Sequence, residues 1–359
     1  MSLKKPALYA AIIVATVIAT ESLARVWNWR PPDWWNAAAG DGMGPLRYFH
    51  YSSGLGDLIP NQDGLWIGGF HRPFHVQTNS VGLRNIEEPS DDAFKILAVG
   101  DSMTFGLFVA NDDTWPARAE SRLREHYGNA RRVQVFNAGI VNYTILDELA
   151  YLREKGIYLK PNLVVLGVYE NDIDDLRQEK NGVVQRPHDG IKTRTLMWLK
   201  LLAHNSALFT IAEQIKAQMQ LAAAGVDIRR SNPTRSLPRE PAPDQDVLIK
   251  RYGQLFRETT ALLKSNGIPL VVIYIPGIWT LSETSMMEST IRALTAEAGV
   301  PYLDLTPAMQ DEQDAAEDFY LLRRYNGVFI GNPHMSPQGY AVAARALVDW
   351  LIANEFVPP

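Results

Sequence analysis

Short apolar runs that alternate with amphipathic helical stretches constrain this chain more than any other feature. Phe94-Lys95-Ile96-Leu97-Ala98-Val99 ends at Gly100. Val133 to Phe136 is a second run, Leu163 to Tyr169 a third, Pro269 to Ile275 a fourth and Val300 to Leu305 a fifth. Such short apolar runs, bounded by turn signals, fit buried parallel strands. Helical patterns with start and stop signals lie between them. Thr114, with Pro116 near the first turn, opens one that continues to about His126, and Thr144 opens another, TILDELAYLREKG, that ends at Gly156. Further helices are expected at about 245–266, 283–298 and 337–354. This order predicts an α/β fold, a doubly wound parallel sheet covered on both faces.

The alternation stops between about 176 and 245. Amphipathic stretches at 195–204 and 206–223 and the linker SNPTRSLPREPAP read as a helical insertion into a main domain of residues 91–356. The insertion suits a lid, a substrate wall or a docking surface for a protein partner. Residues 31–90, rich in Pro, Gly and aromatics, read as an irregular lead-in with short strands, packed on that domain. In residues 1–30, Lys4 and Lys5 precede an uncharged run from Ala7 to Thr20, and Trp27, Trp29, Trp34 and Trp35 follow. A basic flank, an apolar stretch and an aromatic cluster point to a membrane anchor. A cleaved signal segment and a buried soluble helix are the alternatives. The run reaches the ~20 residues that span hydrocarbon only if Glu21, Leu23, Ala24 and Val26 are counted in. Both membrane readings put the bulk of the chain in the periplasm or outside the cell, because positive charge stays inside.

Ligands of an open α/β sheet sit beyond the carboxyl ends of its strands. Gly100-Asp101-Ser102-Met103-Thr104-Phe105-Gly106 follows the first strand, and Ser102 is expected at the start of a helix, close to free backbone N–H groups. Asn137-Ala138-Gly139 ends the second strand, where a glycine lets a substrate oxygen approach a bare N–H. Glu170-Asn171-Asp172 follows the third, and Asn171 offers a side-chain NH₂. Gly331-Asn332-Pro333-His334 precedes the last helix and supplies a base. Together these segments suit acyl transfer through serine: Ser102 attacks, His334 takes and returns its proton, and the N–H groups of Ser102 and Gly139 with the Asn171 amide form an oxyanion hole.

At these residues the sequence resembles the SGNH hydrolase superfamily, the GDSL-like esterases and lipases. GDSMTFG, NAGIVNY, GVYEND and GNPHMSPQGY resemble its four blocks in order, at Ser102, Gly139, Asn171 and His334. The resemblance implies a three-layer αβα fold with a flavodoxin-like sheet. The upstream Thr78-Asn79-Ser80-Val81-Gly82-Leu83-Arg84 resembles a stretch of bacterial membrane-anchored members. One element departs from the pattern: the family usually has an Asp two or three residues before the His, and here Asn332 and Gly331 stand there. In serine hydrolysis that carboxylate fixes the imidazole tautomer, and exchanging it for an amide has cost about 10⁴-fold in turnover elsewhere. Asn332 through its amide oxygen, a backbone carbonyl, or Asp304, Asp311 or Asp318 are the candidates to orient His334.

The remaining chemistry is bounded by composition. The net charge is −5, without a basic run, which argues against nucleic acid. There is no cysteine, so thiolate nucleophiles, disulfides and Cys-based zinc sites are excluded. His71 and His75 are four apart, but Pro73 between them makes a loop the expectation rather than a metal pair. Glu170, Asp172, Asp174 and Asp175 read as a solvated acidic loop. The expected function is a membrane-anchored serine esterase acting on O-acyl or carboxylic esters of a small molecule or glycan, with no metal or organic cofactor. The alternatives are an acyltransferase on cell-envelope carbohydrate and a non-catalytic binding or structural subunit of a membrane complex.

Overall fold

The computed structural model describes residues 74–176, 244–310 and 319–358, apart from 279, 282–283 and 326–327, with shorter stretches between 9 and 23 and between 49 and 66. The insertion helices and the Trp27–Trp35 cluster lie outside the described residues. In chain order the strands are β1 (Phe49–Ser52), β2 (Leu55–Leu58), β3 (Asp63–Trp66), β4 (Phe74–Gln77), β5 (Phe94–Gly100), β6 (Val133–Gly139), β7 (Leu163–Tyr169), β8 (Leu270–Ile275), β9 (Tyr302–Asp304), β10 (Tyr320–Tyr325) and β11 (Val328–Met335).

Strands β5 to β9 form one parallel sheet in the order β6-β5-β7-β8-β9. Successive side chains of a strand point to opposite faces, and both faces here are apolar. Leu97 and Val99 of β5 join a core under the helices Ile145–Glu154, Gln245–Ser265 and Met286–Ala298. Ile96 and Ala98 join a second core under Trp115–Tyr127, Thr306–Gln310 and Pro337–Ala353. Two helical layers therefore sandwich the sheet. The helix starts follow local chemistry: the Thr114 hydroxyl accepts from the Ala117 N–H, and Thr144 with Asp147 closes a capping box.

The lead-in is more regular than its composition predicts. β1 pairs with β2 and β3 with β4, both antiparallel, and His75 lies in β4 opposite Leu65 rather than in a loop. Leu58, Phe74, Val76 and Leu83 are buried in the first core, and Lys155 Nζ meets Asp57 Oδ2 at 2.7 Å. A second difference lies at the C-terminal side. The stretch before the last helix is a hairpin strand, β11, paired antiparallel with β10. Asn326-Gly327, between the two strands in the sequence, is a strong short-range hairpin signal. No helix among the described residues is long and apolar enough to cross a membrane.

Because Leu58 is 1% exposed within the shared core, Leu58→Ala is expected to destabilise the whole domain by about 2–4 kcal/mol. Denaturant unfolding checks this. A lead-in that merely rests on the surface would leave the midpoint unchanged.

Candidate active site

Gly139, Gly100 and Gly167 are paired in register across β6, β5 and β7. They form a shelf without side chains at the carboxyl end of the sheet, beside the place where the strand order reverses. The short helix Ser102–Phe105 lies directly on it. A Cβ on Gly139 would collide with the Phe105 amide nitrogen and the Thr104 carbonyl carbon, and one on Gly100 or Gly167 with Thr104 Oγ1. Asp101 caps this helix by accepting from the Met103 N–H at 2.8 Å, and Gly106, at φ +84°, ends it. Ser102 is thereby held at the first helical position, 8% exposed.

His334 reaches Ser102 from the hairpin. Leu321 pairs with Asn332 and Tyr320 with Met335, so Pro333 and His334 fall in a bulge of the β10–β11 ladder. Bulges re-aim side chains beside active sites, and proline, which has no N–H to give a ladder, fits one. His334 Nε2 lies 2.8 Å from Ser102 Oγ. Phe108 meets the imidazole in a T-shaped contact, ring centroids 5.3 Å apart.

The two other expected oxyanion donors are engaged within the protein. The Gly139 N–H donates to Asn137 Oδ1 at 3.0 Å, and Asn171 Nδ2 donates to Asp175 Oδ2 at 2.7 Å. An amide nitrogen carries two hydrogens, so Asn171 retains a second, whereas the Gly139 N–H has no other to give. Asn332 sits on the β11 backbone opposite Leu321; its side chain lies outside the described residues. Asp304 accepts from the Thr306 N–H and pairs with Arg292 at 2.9 Å. Asp311 and Asp318 lie outside the described residues.

Sequence reasoning names Arg84 only as the end of the Thr78–Arg84 stretch and gives it no role. Its side chain is buried, and its five N–H groups reach Phe105 O (2.5 Å), Gly106 O (2.7 Å), Val109 O (2.5 Å), Asn111 Oδ1 (3.1 Å) and His75 O (3.5 Å). Burial lowers its pKa to about 9, so it remains a cation at neutral pH. The guanidinium also lies over the Phe105 ring, 4.3 Å from the centroid. The available signal was the Thr78–Arg84 stretch itself, whose resemblance to other proteins ends on this arginine.

The acidic residues near Asn171 are not a solvated loop. Asp172 is buried within the helix Asp172–Asp175, and Asp101 and Glu148 are buried as well. Burial pushes the Asp101 carboxyl up to about 7 and Asp175 to about 6, and holds Glu148 and Asp172 well above the usual carboxylate range. Glu148 Oε2 is buried with no hydrogen-bond partner among the described residues. These raised values mean that the folded chain keeps protons which the unfolded chain releases above pH ~4. For Asp101 and Asp175 this contribution to stability is complete below that pH and is lost as pH rises through about 6 to 7; Glu148 and Asp172 act in the same direction. The thermal midpoint is therefore expected to fall between roughly pH 5 and pH 8. Glu148→Gln should flatten that fall and raise the midpoint at pH ~8 by about 3 °C or more. Parallel curves for the two proteins would contradict the assignment.

No curated protein matches the chain. Among solved structures, an acetylxylan esterase from Geobacillus stearothermophilus is similar in fold, at 16% identity over 73% of this chain and 95% of that one, with a TM-score of 0.41. A lipase/acylhydrolase from Enterococcus faecalis is similar at 16% identity over 72% and 96%, with a TM-score of 0.38. Residues 98–342, from within β5 into the last helix, match the GDSL-like Lipase/Acylhydrolase family, and the chain belongs to that family.

Proposed function

We propose that this protein is a serine esterase that hydrolyses O-acyl or carboxylic esters through an acyl-enzyme on Ser102. The 2.8 Å approach of His334 Nε2 to Ser102 Oγ carries the reading. His334 accepts the hydroxyl proton as Ser102 Oγ attacks the ester carbonyl carbon. The tetrahedral oxyanion is held by the Ser102 N–H and the second Asn171 hydrogen, donors worth about 3–4 kcal/mol each in such sites. Gly139 joins them only if the Asn137 amide releases its N–H. His334 then protonates the departing alkoxide, and a water deprotonated by the same imidazole cleaves the acyl-serine. No step calls for a metal or organic cofactor. Acyl groups on cell-envelope carbohydrate are the substrate class that fits an enzyme on the outer side of a membrane.

The membrane placement belongs to the same proposal. Residues 15–23 are helical, and Val17, Ile18 and Leu23 face outward. The hydroxyls of Thr16, Thr20 and Ser22 each donate to the carbonyl four residues earlier, at 2.6–2.8 Å. Apolar side chains facing outward with the hydroxyls bonded back to the helix suit lipid, with Glu21 near the far interface. Lys4 and Lys5 keep the start of the chain in the cytoplasm. After expression of the full chain, the protein is expected to stay in the membrane pellet through alkaline carbonate extraction. Full release of the intact chain would remove the anchor, and release of a chain shortened at its start would replace it by a signal segment.

Fluorophosphonate labelling tests the chemistry without knowledge of the substrate. Wild type is expected to label, Ser102→Ala not at all, and His334→Gln at least about 100-fold more slowly. An ester panel with added sugar acceptors then separates hydrolysis from transfer. If wild type does not label, the non-catalytic scaffold suggested by Asn332 and the engaged Gly139 N–H becomes the better reading.

A further inference from the structure

The aromatic ring against His334 belongs to a residue with an unusual backbone. Phe108 has φ +72°, in the left-handed region that bulky side chains avoid. Such a conformation persists only where its surroundings over-determine it. Arg84 is that surrounding. Its Nη1 holds Gly106 O and its Nη2 holds Val109 O, so one rigid fork grips the chain on both sides of Leu107-Phe108. The same fork holds Phe105 O at the end of the nucleophile helix. Phe74 of β4 meets Phe108 edge to face, centroids 5.9 Å apart, and is itself 5.7 Å from the Arg84 guanidinium. One buried cation therefore ties together the helix that carries Ser102 and the ring that touches His334.

We propose that Phe108 is a positioning residue for His334, and that Arg84 acts through it by fixing the 106–109 turn. The ring restricts rotation of the imidazole from the side, while the β11 bulge sets its height over Ser102. The inference rests on the reading of Ser102 and His334 as a catalytic pair. It adds that the lead-in, through Phe74 and Arg84, is part of the catalytic machinery.

The test uses the full chain in detergent, with Phe108→Leu, Phe108→Tyr, Arg84→Lys and the Phe108→Leu/Arg84→Lys double variant. Phe108→Leu keeps the apolar bulk and the backbone demand but removes the ring. It is expected to slow fluorophosphonate labelling roughly 10- to 100-fold, the cost of a small misplacement of a reacting group. Phe108→Tyr should restore the rate to within about threefold. Arg84→Lys is expected to slow labelling too. Because part of its effect runs through Phe108, the double variant should be at least about threefold faster than the product of the two single losses predicts; losses that simply multiply would overturn the link between Arg84 and Phe108. A second arm reads placement without chemistry. The His334 ring signals, identified by their loss in His334→Gln, should carry a ring-current displacement in wild type and Phe108→Tyr that disappears in Phe108→Leu. Labelling of Phe108→Leu at the wild-type rate overturns the proposal, as do His334 signals unmoved by that substitution. If wild type itself does not label, the esterase reading fails, and the magnetic-resonance arm still decides for or against the Phe108 contact.

Discussion

The row Gly139-Gly100-Gly167 is the constraint on which the site depends. A parallel sheet covered on both faces normally presents branched side chains along its whole length. Here three adjacent strands give up their side chains at the same level, and the helix Ser102–Phe105 settles into the space, its backbone over Gly139 and the Thr104 side chain over Gly100 and Gly167. The serine's position thus follows from close packing on bare strand backbone. Gly139 serves this packing, while its N–H bonds to the Asn137 amide, which also donates to Phe105 O at 3.2 Å. One asparagine therefore couples the end of β6 to the end of the nucleophile helix.

The sheet was legible in the sequence because each of its strands is a short apolar run bounded by turn residues. Leu163–Tyr169 is observed with the expected bounds, and Leu270–Ile275 begins one residue later than expected. Helices with strong caps, at Thr114 and Thr144, were legible for the same local reason. The antiparallel pieces were less so: short strands are expected in the lead-in, but neither their bounds nor their pairing, and the β10–β11 hairpin is not expected at all. β1 to β4 are four residues each and rich in glycine and aromatics, too short for a period to register. β10–β11 carries charge and a proline, and the Asn-Gly pair between its strands in the sequence was its one signal. Of the site, Ser102 and His334 are brought together as the strand-end pattern anticipates. What the pattern lacks is tertiary: the Gly139 N–H turns inward to a neighbour two residues away, and Arg84 and Phe108 matter only through contacts across the chain.

Burying an arginine without a carboxylate is costly unless its donors are all used. Arg84 reaches five acceptors, four of them backbone carbonyls. Carbonyls in a turn of irregular shape have few other ways to be satisfied inside a core. The cation and the turn thus solve each other's problem: the turn supplies oxygens that no sheet uses, and the guanidinium lets such a turn exist beneath the surface. This gives the lead-in, which composition alone marks as irregular, a structural share in the main domain.

The serine and the histidine are 232 residues apart in the chain. A ribosome completes the strand, helix and shelf that hold Ser102 long before it makes the hairpin that carries His334. Until that hairpin docks, the Ser102 hydroxyl has no imidazole beside it. On the proposed mechanism, a late-made segment of the chain therefore arms the serine.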